Sequence, residues 1–376
     1  MTAARRDRAL ADSGCSDGHR QPGRLWRKSW GTHQWSAMAL TSPASHFRTE
    51  RGRDIPRRPR PDVGRSPGSD ADRSGGYPSM AMGRPHVMPT PEREARLRQS
   101  RAPQLQSAVA FARACHIGPT LAVTAFTGAL AWRSGRDRAG LLGVGAAVLA
   151  GQAAVGLSND YLDRHRDREA GRSDKPIVAG AISQRAVGAG ALVAGAACLP
   201  LSMLSGRSAA LTHFGAIAAG LSYNRWFKFS ALSPVPYAVA FGALPSFISL
   251  GSVAGSLAPA PITIAATLLG VGAHFINTLP DVDADEQTGV RGLPQRLGPI
   301  PSLVIGAGLL GASTAVVAVA APALGAVGAV LVVGTGVCLA GVVALALTER
   351  TRWAWGASLV AAATTVGLAV SSGVVA

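Results

Sequence analysis

Long apolar stretches constrain the fold of this chain more than any other feature. From about Leu105 onward, runs of Ala, Val, Leu and Gly recur, and about 20 helical residues are enough to cross a hydrocarbon core of ~30 Å. Because backbone groups in lipid must be hydrogen-bonded within the segment, these stretches are predicted to be helices. The approximate spans are 105–132, 139–158, 184–206, 208–226, 233–254, 258–280, 300–321, 323–347 and 353–374. The sequence therefore predicts an all-α, polytopic membrane protein with about nine transmembrane helices in a bundle.

The first 102 residues differ in composition from the rest of the chain. They contain 20 Lys and Arg against 10 Asp and Glu, a net +10 of the +16 carried by the whole chain, and they lack apolar periodicity. Such a composition cannot bury enough surface to offset its ordering entropy. We therefore predict a disordered basic extension over residues 1–102 and a transmembrane domain over residues 103–376. The extension resembles no nucleic-acid-binding module, so we expect a cationic arm near anionic lipid and no nucleic-acid partner.

The distribution of positive charge predicts the orientation in the membrane. If the N-terminus is cytoplasmic and the spans alternate, the cytoplasmic loops carry ten Lys and Arg residues, against four in the outer loops. The positive-inside rule then favours a multi-pass protein of the cell membrane with a cytoplasmic N-terminus. The outer cluster from Arg133 to Arg138 argues locally against this orientation.

Two polar segments concentrate nearly all the acidic residues of the transmembrane domain. Nine of the 11 Asp and Glu residues after position 102 lie in "NDYLDRHRDREAGRSDKP", from Asn159, and in "NTLPDVDADEQTG", from Asn277. Each segment follows the predicted cytoplasmic end of a span. A solvated loop mixes its charges freely, so this concentration indicates a site at the cytoplasmic side of the bundle.

The two segments share the spacing Asn-x3-Asp-x3-Asp. Residues four apart lie on the same face of a helix, one turn above another. Carboxylate and amide oxygens are the hard donors that Mg²⁺ prefers, and Mg²⁺ completes its shell with water and substrate phosphate. We therefore predict two facing Mg²⁺ clusters that bind a diphosphate. The predicted ligands are Asn159, Asp163, Asp167, Asn277, Asp281 and Asp285. Solvated helix ends with charge pairing are the simpler alternative.

Three motifs, in this order, resemble those of the UbiA superfamily of intramembrane prenyltransferases. "NDYLDRHRD" with "GRSDKPIVAGAIS" resembles its first aspartate-rich motif, and "NTLPDVDADEQTGVRGLPQRLG" resembles the second. "YNRWFK", from Tyr223 to Lys228, resembles its Tyr-x4-Lys element. In the second motif Thr278 stands where the first has Asp160, and Pro280 is expected to break or kink the helix.

The resemblance implies particular roles at the matching positions. Asp163, Asp167, Asp281, Asp285 and Lys228 are the expected catalytic residues, with Lys228 on the diphosphate and Tyr223 near it. Asp160 is expected to support the site. Arg172 and Lys175 add cationic contacts to the leaving group. Arg113 is an ionisable residue early in a span and hence a candidate for substrate binding, although it could also reach the membrane interface.

The resemblance implies an enzyme with Mg²⁺ as cofactor. It would ionise a polyprenyl diphosphate and transfer the prenyl group to an aromatic or other lipophilic acceptor. A terpene cyclase, in which the substrate's own double bond captures the cation, is an open alternative. A membrane transporter is the alternative of another class, and its carboxylates would lie near the bilayer midplane rather than at span ends.

Overall fold

We obtained a computed structural model of the chain, which describes residues 106–348 and 350–374. The predicted extension of residues 1–102 lies outside the described residues. Within the described ranges the chain is helical and no β-strand occurs. The helices are α1 Gln106–Ala114, α2 Ile117–Arg133, α3 Arg138–Glu169, α4 Gln184–Met203, α5 Arg207–Arg225, α6 Pro234–Leu250, α7 Ala260–Asn277, α8 Val282–Gln287, α9 Leu293–Leu297, α10 Pro299–Ala320, α11 Gly325–Leu347 and α12 Thr351–Ser372.

The long helices form a closed ring. From α2 to α7 each helix packs on the next one in sequence, α7 packs on α10, and α10, α11 and α12 follow in order. The ring closes because α12 packs back on α2. Helix ends that carry the two acidic segments therefore lie at one end of the bundle, at the C-termini of α3 and α7.

Length and apolar composition identify fewer spans than the sequence predicts. Within the described residues six helices are long and apolar enough to cross a membrane, or seven if the bent pair α1 and α2 counts as one span. All nine predicted segments are helical, but α6 has only 17 residues, and α5 is not among the candidate spans. The protein is a multi-pass helical membrane protein, and the predicted count of nine spans is not confirmed.

The first predicted span, 105–132, is broken at Cys115 and His116. The axes of α1 and α2 differ by 66°, and His116 has a left-handed backbone with φ of 53°, which is uncommon for a residue other than glycine. Gly156 of α3 makes room for the break, since a Cβ there would lie 2.5 Å from the Cys115 carbonyl oxygen. Thr120 Oγ1 donates to that same carbonyl over 2.8 Å. The carbonyl exposed by the break is therefore satisfied within the protein.

Two arginines of the outer cluster close the opposite end of the bundle. Arg133 Nε donates to the Val370 carbonyl of α12 over 3.1 Å, and Arg136 Nη2 donates to the Ile248 carbonyl of α6 over 3.1 Å. Both carbonyls lie in the last turn of a helix, where backbone acceptors lack an intrahelical donor and the helix dipole is negative. The two arginines therefore stabilise helix ends, which accounts for positive charge at the end of the bundle where the positive-inside rule does not favour it.

We predict that Arg136→Ala lowers the free energy of unfolding by about 1–3 kcal/mol, because a charged donor to a partly buried carbonyl is lost. Arg138→Ala is the matched control, since Arg138 is exposed. Thermal denaturation of the purified protein in detergent measures both. An equal loss in the two variants would contradict the helix-end role of Arg136.

Candidate functional site

The first acidic motif lies on a continuous helix. Helix α3 continues to Glu169, about three turns past the predicted end of its span. Asn159, Asp163 and Asp167 therefore occupy successive turns of one face, as the spacing predicts. Asn159 and Asp167 are half-buried, and Asp167 is close enough to Lys175 and Arg172 to feel their charges.

Asp163 is paired with two cations. Its Oδ1 accepts from Lys228 Nζ and forms an ion pair with Arg166 one turn further along α3. Lys228 lies in the short 3-10 turn Phe227–Phe229 after α5, and its side chain is only 5% exposed. Burial lowers the pKa of Lys228 and Asp163 opposes that shift. The element "YNRWFK" thus places its lysine on the first motif, and its expected contact with a diphosphate stays a prediction.

Asp160 faces away from the stacked residues and is buried. Its Oδ1 accepts from Lys175 Nζ over 2.8 Å and lies 3.0 Å from His116 Nε2. Burial alone would lower the pKa of Lys175, but the carboxylates of Asp160 and Asp167 outweigh it and raise that pKa. Asp160 therefore holds the segment after α3 through a buried ion pair, and its supporting role in a reaction stays a prediction.

Arg172 joins the two acidic motifs. It donates to both carboxylate oxygens of Asp174 over 3.0 Å, and its Nη1 lies 3.2 Å from Asp281 Oδ1. Burial acts to lower the pKa of Arg172, but the hydrogen bond to Asp174 and the charge of Asp281 raise it. Arg113 Nη2 donates to the Asp174 carbonyl over 2.7 Å. The loop after α3 is thereby tied both to α1 and to the second motif.

The second motif does not continue a helix. Helix α7 ends at Asn277, a 3-10 turn covers Leu279–Asp281, and α8 begins at Val282. Pro280 lies within that turn, as its missing N–H and fixed φ lead one to expect. Asn277 Oδ1 accepts from Trp355 Nε1 of α12 over 3.1 Å. Asn277, Asp281 and Asp285 therefore have the same sequence spacing as the residues of the first motif, but they do not lie on one straight helical face.

Asp285 lies on α8 and has an amide rather than a cation as its hydrogen-bond donor. Gln295 Nε2 of α9 donates to its Oδ2 over 2.8 Å. Burial raises the pKa of Asp285 to about 7, and the charge of Asp281 adds to the rise. The Gln295 hydrogen bond and the charges of Arg166 and Arg172 act in the opposite direction. Asp285 is therefore protonated in part near neutral pH.

Tyr223 lies in an aromatic cluster beside the second motif. Its ring meets Tyr237 edge-on at 5.1 Å and His274 edge-on at 5.5 Å between centroids. Tyr237 stacks on His274 at 4.4 Å and on Phe241 at 6.3 Å. Tyr223 also lies within electrostatic range of Asp285 and of the other motif carboxylates. The cluster extends from the polar site into the bundle.

An apolar cavity begins where the aromatic cluster ends. Its volume is about 60 Å³, and it lies between α2, α6, α7, α10 and α12. Phe241 is shared between the aromatic cluster and the cavity wall, which also includes Phe126, Leu269, Val317 and Val366. A continuous path of ring and apolar side chains therefore leads from the acidic site into the bundle.

The donor set fits Mg²⁺ by its chemistry, although its side chains are paired with each other. Among the described residues no group of three or more His, Cys, Asp and Glu is arranged to hold a metal ion. The carboxylates of Asp163 and Asp281 contact Lys228, Arg166 and Arg172. All six predicted ligands nonetheless present hard oxygen atoms at one end of the bundle. Their role as ligands stays a prediction.

Sequence reasoning missed several partners of the site. The pairing of Arg166 with Asp163 could have been predicted from the sequence, because the two residues lie three apart on one helix. The contact of Trp355 could not, because it reaches Asn277 only through the packing of distant helices. The contact of Gln295 could not, because the turn between α8 and α9 decides whether it reaches Asp285. His116 reaches Asp160 only because of the break between α1 and α2.

Comparison with known proteins agrees with this architecture. The family model described as the UbiA prenyltransferase family matches residues 120–359. The bacteriochlorophyll synthase 33 kDa chain of Cereibacter sphaeroides is 33% identical over 167 residues, 40% of this chain and 53% of that one. The chain thus spans about half the length of this curated relative.

Solved structures are similar in fold. The apo structure of a UbiA homolog from Aeropyrum pernix K1 has a TM-score of 0.55 at 22% identity, covering 68% of this chain and 97% of that one. A UbiA homolog from Archaeoglobus fulgidus bound to GPP and Mg²⁺ has a TM-score of 0.51 at 18% identity, covering 69% and 99%. At these identities the likeness concerns the fold.

The closed helical bundle, with two acidic motifs at one end, is the arrangement in which the family match falls. The family match covers more than half of the chain. The chain therefore belongs to the UbiA prenyltransferase family, which confirms the resemblance.

We predict that Asp285→Asn raises the stability of the metal-free protein most strongly at high pH. The folded-state pKa of about 7 lies above the ordinary value of 3.8. The protonated form therefore contributes stability at low pH that is lost as pH rises toward 7. The variant does not ionise, so its melting temperature is expected to exceed that of the wild type increasingly between pH 5 and pH 8.

Glu286→Gln is the matched control, because Glu286 is exposed on the same helix. Melting temperatures are measured in detergent with a chelator at each pH. A difference between Asp285→Asn and the wild type that is constant with pH would contradict the shifted pKa.

Proposed function

We propose that the protein is an integral-membrane prenyltransferase. It catalyses Mg²⁺-dependent ionisation of a polyprenyl diphosphate and transfers the prenyl group to an aromatic or other lipophilic acceptor. One observation carries the proposal: Arg172 bridges from the first motif to Asp281 of the second, at the polar end of a path that leads into an apolar cavity. A charged head and an apolar tail of one substrate match these two regions.

The cations of the site are suited to bind the diphosphate. Lys228 and Arg172 are held on the carboxylates of Asp163 and Asp281, and we propose that the substrate diphosphate draws them to itself. Arg113 and Lys175, tied to the same loop, add positive charge around the leaving group. Preorganised cations stabilise the negative charge that grows on the departing diphosphate.

The carboxylates released by this exchange are suited to hold the metal. Asn159, Asp163 and Asp167 would bind it from α3, and Asn277, Asp281 and Asp285 from the second motif. Mg²⁺ held by these residues would supply positive charge that stabilises the departing diphosphate. Asp285 would hold the metal in its ionised form, because a proton and a metal ion compete for the same carboxylate.

The prenyl chain is proposed to lie along the apolar path. Tyr223 and Tyr237 stand between the polar site and the cavity, where their ring faces would stabilise an allylic cation. The surrounding helices exclude water, which would otherwise capture the cation. The cavity is lined by apolar side chains that include Phe241 and Phe126, so its lining is suited to a hydrocarbon chain.

The relatives support this assignment at the level of chemistry. One structural relative binds GPP and Mg²⁺, and the curated relative is a bacteriochlorophyll synthase chain. We infer a prenyl diphosphate as the donor substrate by analogy with the first. A lipophilic acceptor is our inference from the membrane location of the site.

We also propose nine membrane crossings, with the N-terminus and the site on the cytoplasmic side. The ten cationic residues in the loops of that side, against four on the other, support this orientation. The helix-end contacts of Arg133 and Arg136 supply a separate reason for two of those four.

We predict that Asp163→Asn and Asp281→Asn each reduce Mg²⁺-dependent diphosphate release by at least about 100-fold, because each removes charge from one motif. Release of diphosphate from geranylgeranyl diphosphate is measured on purified protein. Asp137→Asn is the matched control, since Asp137 caps the opposite end of α3. Undiminished release in either motif variant would contradict the metal assignment.

A second experiment separates the transferase from the cyclase. Purified protein is incubated with geranyl, farnesyl or geranylgeranyl diphosphate, with and without an aromatic acceptor, and the organic products are analysed. We expect prenylated acceptor and no cyclic hydrocarbon. A cyclic hydrocarbon formed without acceptor would replace the transferase assignment by the cyclase.

The orientation is tested by labelling introduced cysteines with a membrane-impermeant maleimide. Glu169 at the site end and Ser256 at the other end are both exposed. We expect Ser256→Cys to react in intact cells and Glu169→Cys to react only after lysis, with the unmodified chain as background. The reverse pattern would invert the proposed topology.

A further inference from the structure

A buried polar cluster lies behind the second motif and has no role in the chemistry above. Ser233 is 0% exposed, His274 1% and Gln295 7%. These residues come from the start of α6, the last turn of α7 and the short helix α9. A buried polar group costs free energy unless it is hydrogen-bonded. We therefore expect these buried side chains to be hydrogen-bonded to the segments that surround them.

Ser233 joins three segments of the chain. Its Oγ accepts from the backbone N–H of Leu293 over 2.9 Å and lies 3.0 Å from His274 Nε2. The Leu293 N–H belongs to the first turn of α9, where backbone donors have no intrahelical partner. The serine therefore fixes the start of α9 against α6 and α7.

Gly292 allows this contact to form. A Cβ at that position would lie 2.6 Å from Gln295 Oε1 and 2.8 Å from Ser233 Oγ, which no side chain can accommodate without displacing one of them. On the far side, Ser302 Oγ donates to the Pro294 carbonyl over 3.0 Å. Helix α9 is therefore held from both sides. We call Ser233, His274, Gly292, Leu293 and Gln295 the α9 support.

We propose that Gln295, held by the α9 support, is a positioning residue that orients Asp285 for binding of a divalent cation. The inference rests on the proposed function. The Gln295 amide donates to Asp285 Oδ2 over 2.8 Å, and this bond sets the rotation of the carboxylate. Groups that hydrogen-bond to metal ligands orient them and tune their affinity.

The choice of an amide has a physical reason. Asp163 and Asp281 have cationic partners, which compete with a metal ion for the carboxylate. Gln295 is neutral, so it orients Asp285 without neutralising it. Asp285 thereby keeps its capacity to bind a cation while its position is set by α9.

The test compares binding of Mn²⁺ to ligand-free protein in detergent, measured from the electron paramagnetic resonance of free Mn²⁺. Gln295→Met removes the donor at similar length. Gly292→Ala keeps every hydrogen-bonding group but displaces the α9 support. We expect each variant to weaken Mn²⁺ binding by about ten-fold or more. The Mg²⁺ concentration for half-maximal diphosphate release should rise in parallel, with turnover recovering at high Mg²⁺.

Thr335→Val is the matched control. Thr335 is 1% exposed and bonds to Thr364 between α11 and α12, so its loss removes a buried hydroxyl away from both motifs. We expect unchanged Mn²⁺ affinity. Wild-type affinity in Gln295→Met, or an equal loss in Thr335→Val, would overturn the proposal. Normal Mn²⁺ binding by a wild-type protein that releases no diphosphate would instead contradict the proposed function and leave the positioning role standing.

Discussion

The buried ion pair between Asp160 and Lys175 organises the polar end of this protein. A charge removed from water must be paired, and breaking such a pair leaves one uncompensated charge behind. The pair fixes the loop after α3 against the bundle, with His116 at the break between α1 and α2 completing it. Because that loop is fixed, Arg172 reaches Asp281, and the two acidic motifs become one site.

The site balances its charges in two ways. Asp163 and Asp281 are matched by cations, so the bundle tolerates concentrated negative charge at its end. Asp285 is held by a neutral amide, and its pKa rises to about 7. The difference has a functional consequence under the proposed reaction. Asp163 and Asp281 would release their cations to the substrate diphosphate, and Asp285 would hold the metal in its ionised form.

The two motifs show how identical spacing leads to different structure. In the first, Asn159, Asp163 and Asp167 lie on a helix with no breaker, so a step of four residues gives one face. In the second, Pro280 interrupts the backbone hydrogen bonding and a 3-10 turn replaces the helix. The sequence predicted this break from the chemistry of proline. It had no means to predict that Trp355 and Gln295 would engage the interrupted segment.

The sequence by itself determined the helical membrane class, the family, and the local geometry of the first motif. Apolar length and residue spacing act over a few turns, so they can be read directly from the chain. Only the tertiary structure decided the partners: Arg172 with Asp281, Gln295 with Asp285, and the two arginines at the opposite end with their helix termini. The three arginine contacts join distant parts of the chain and form only because the helices pack into one bundle. The Gln295 contact is closer in sequence, but it depends on where the bundle holds α9.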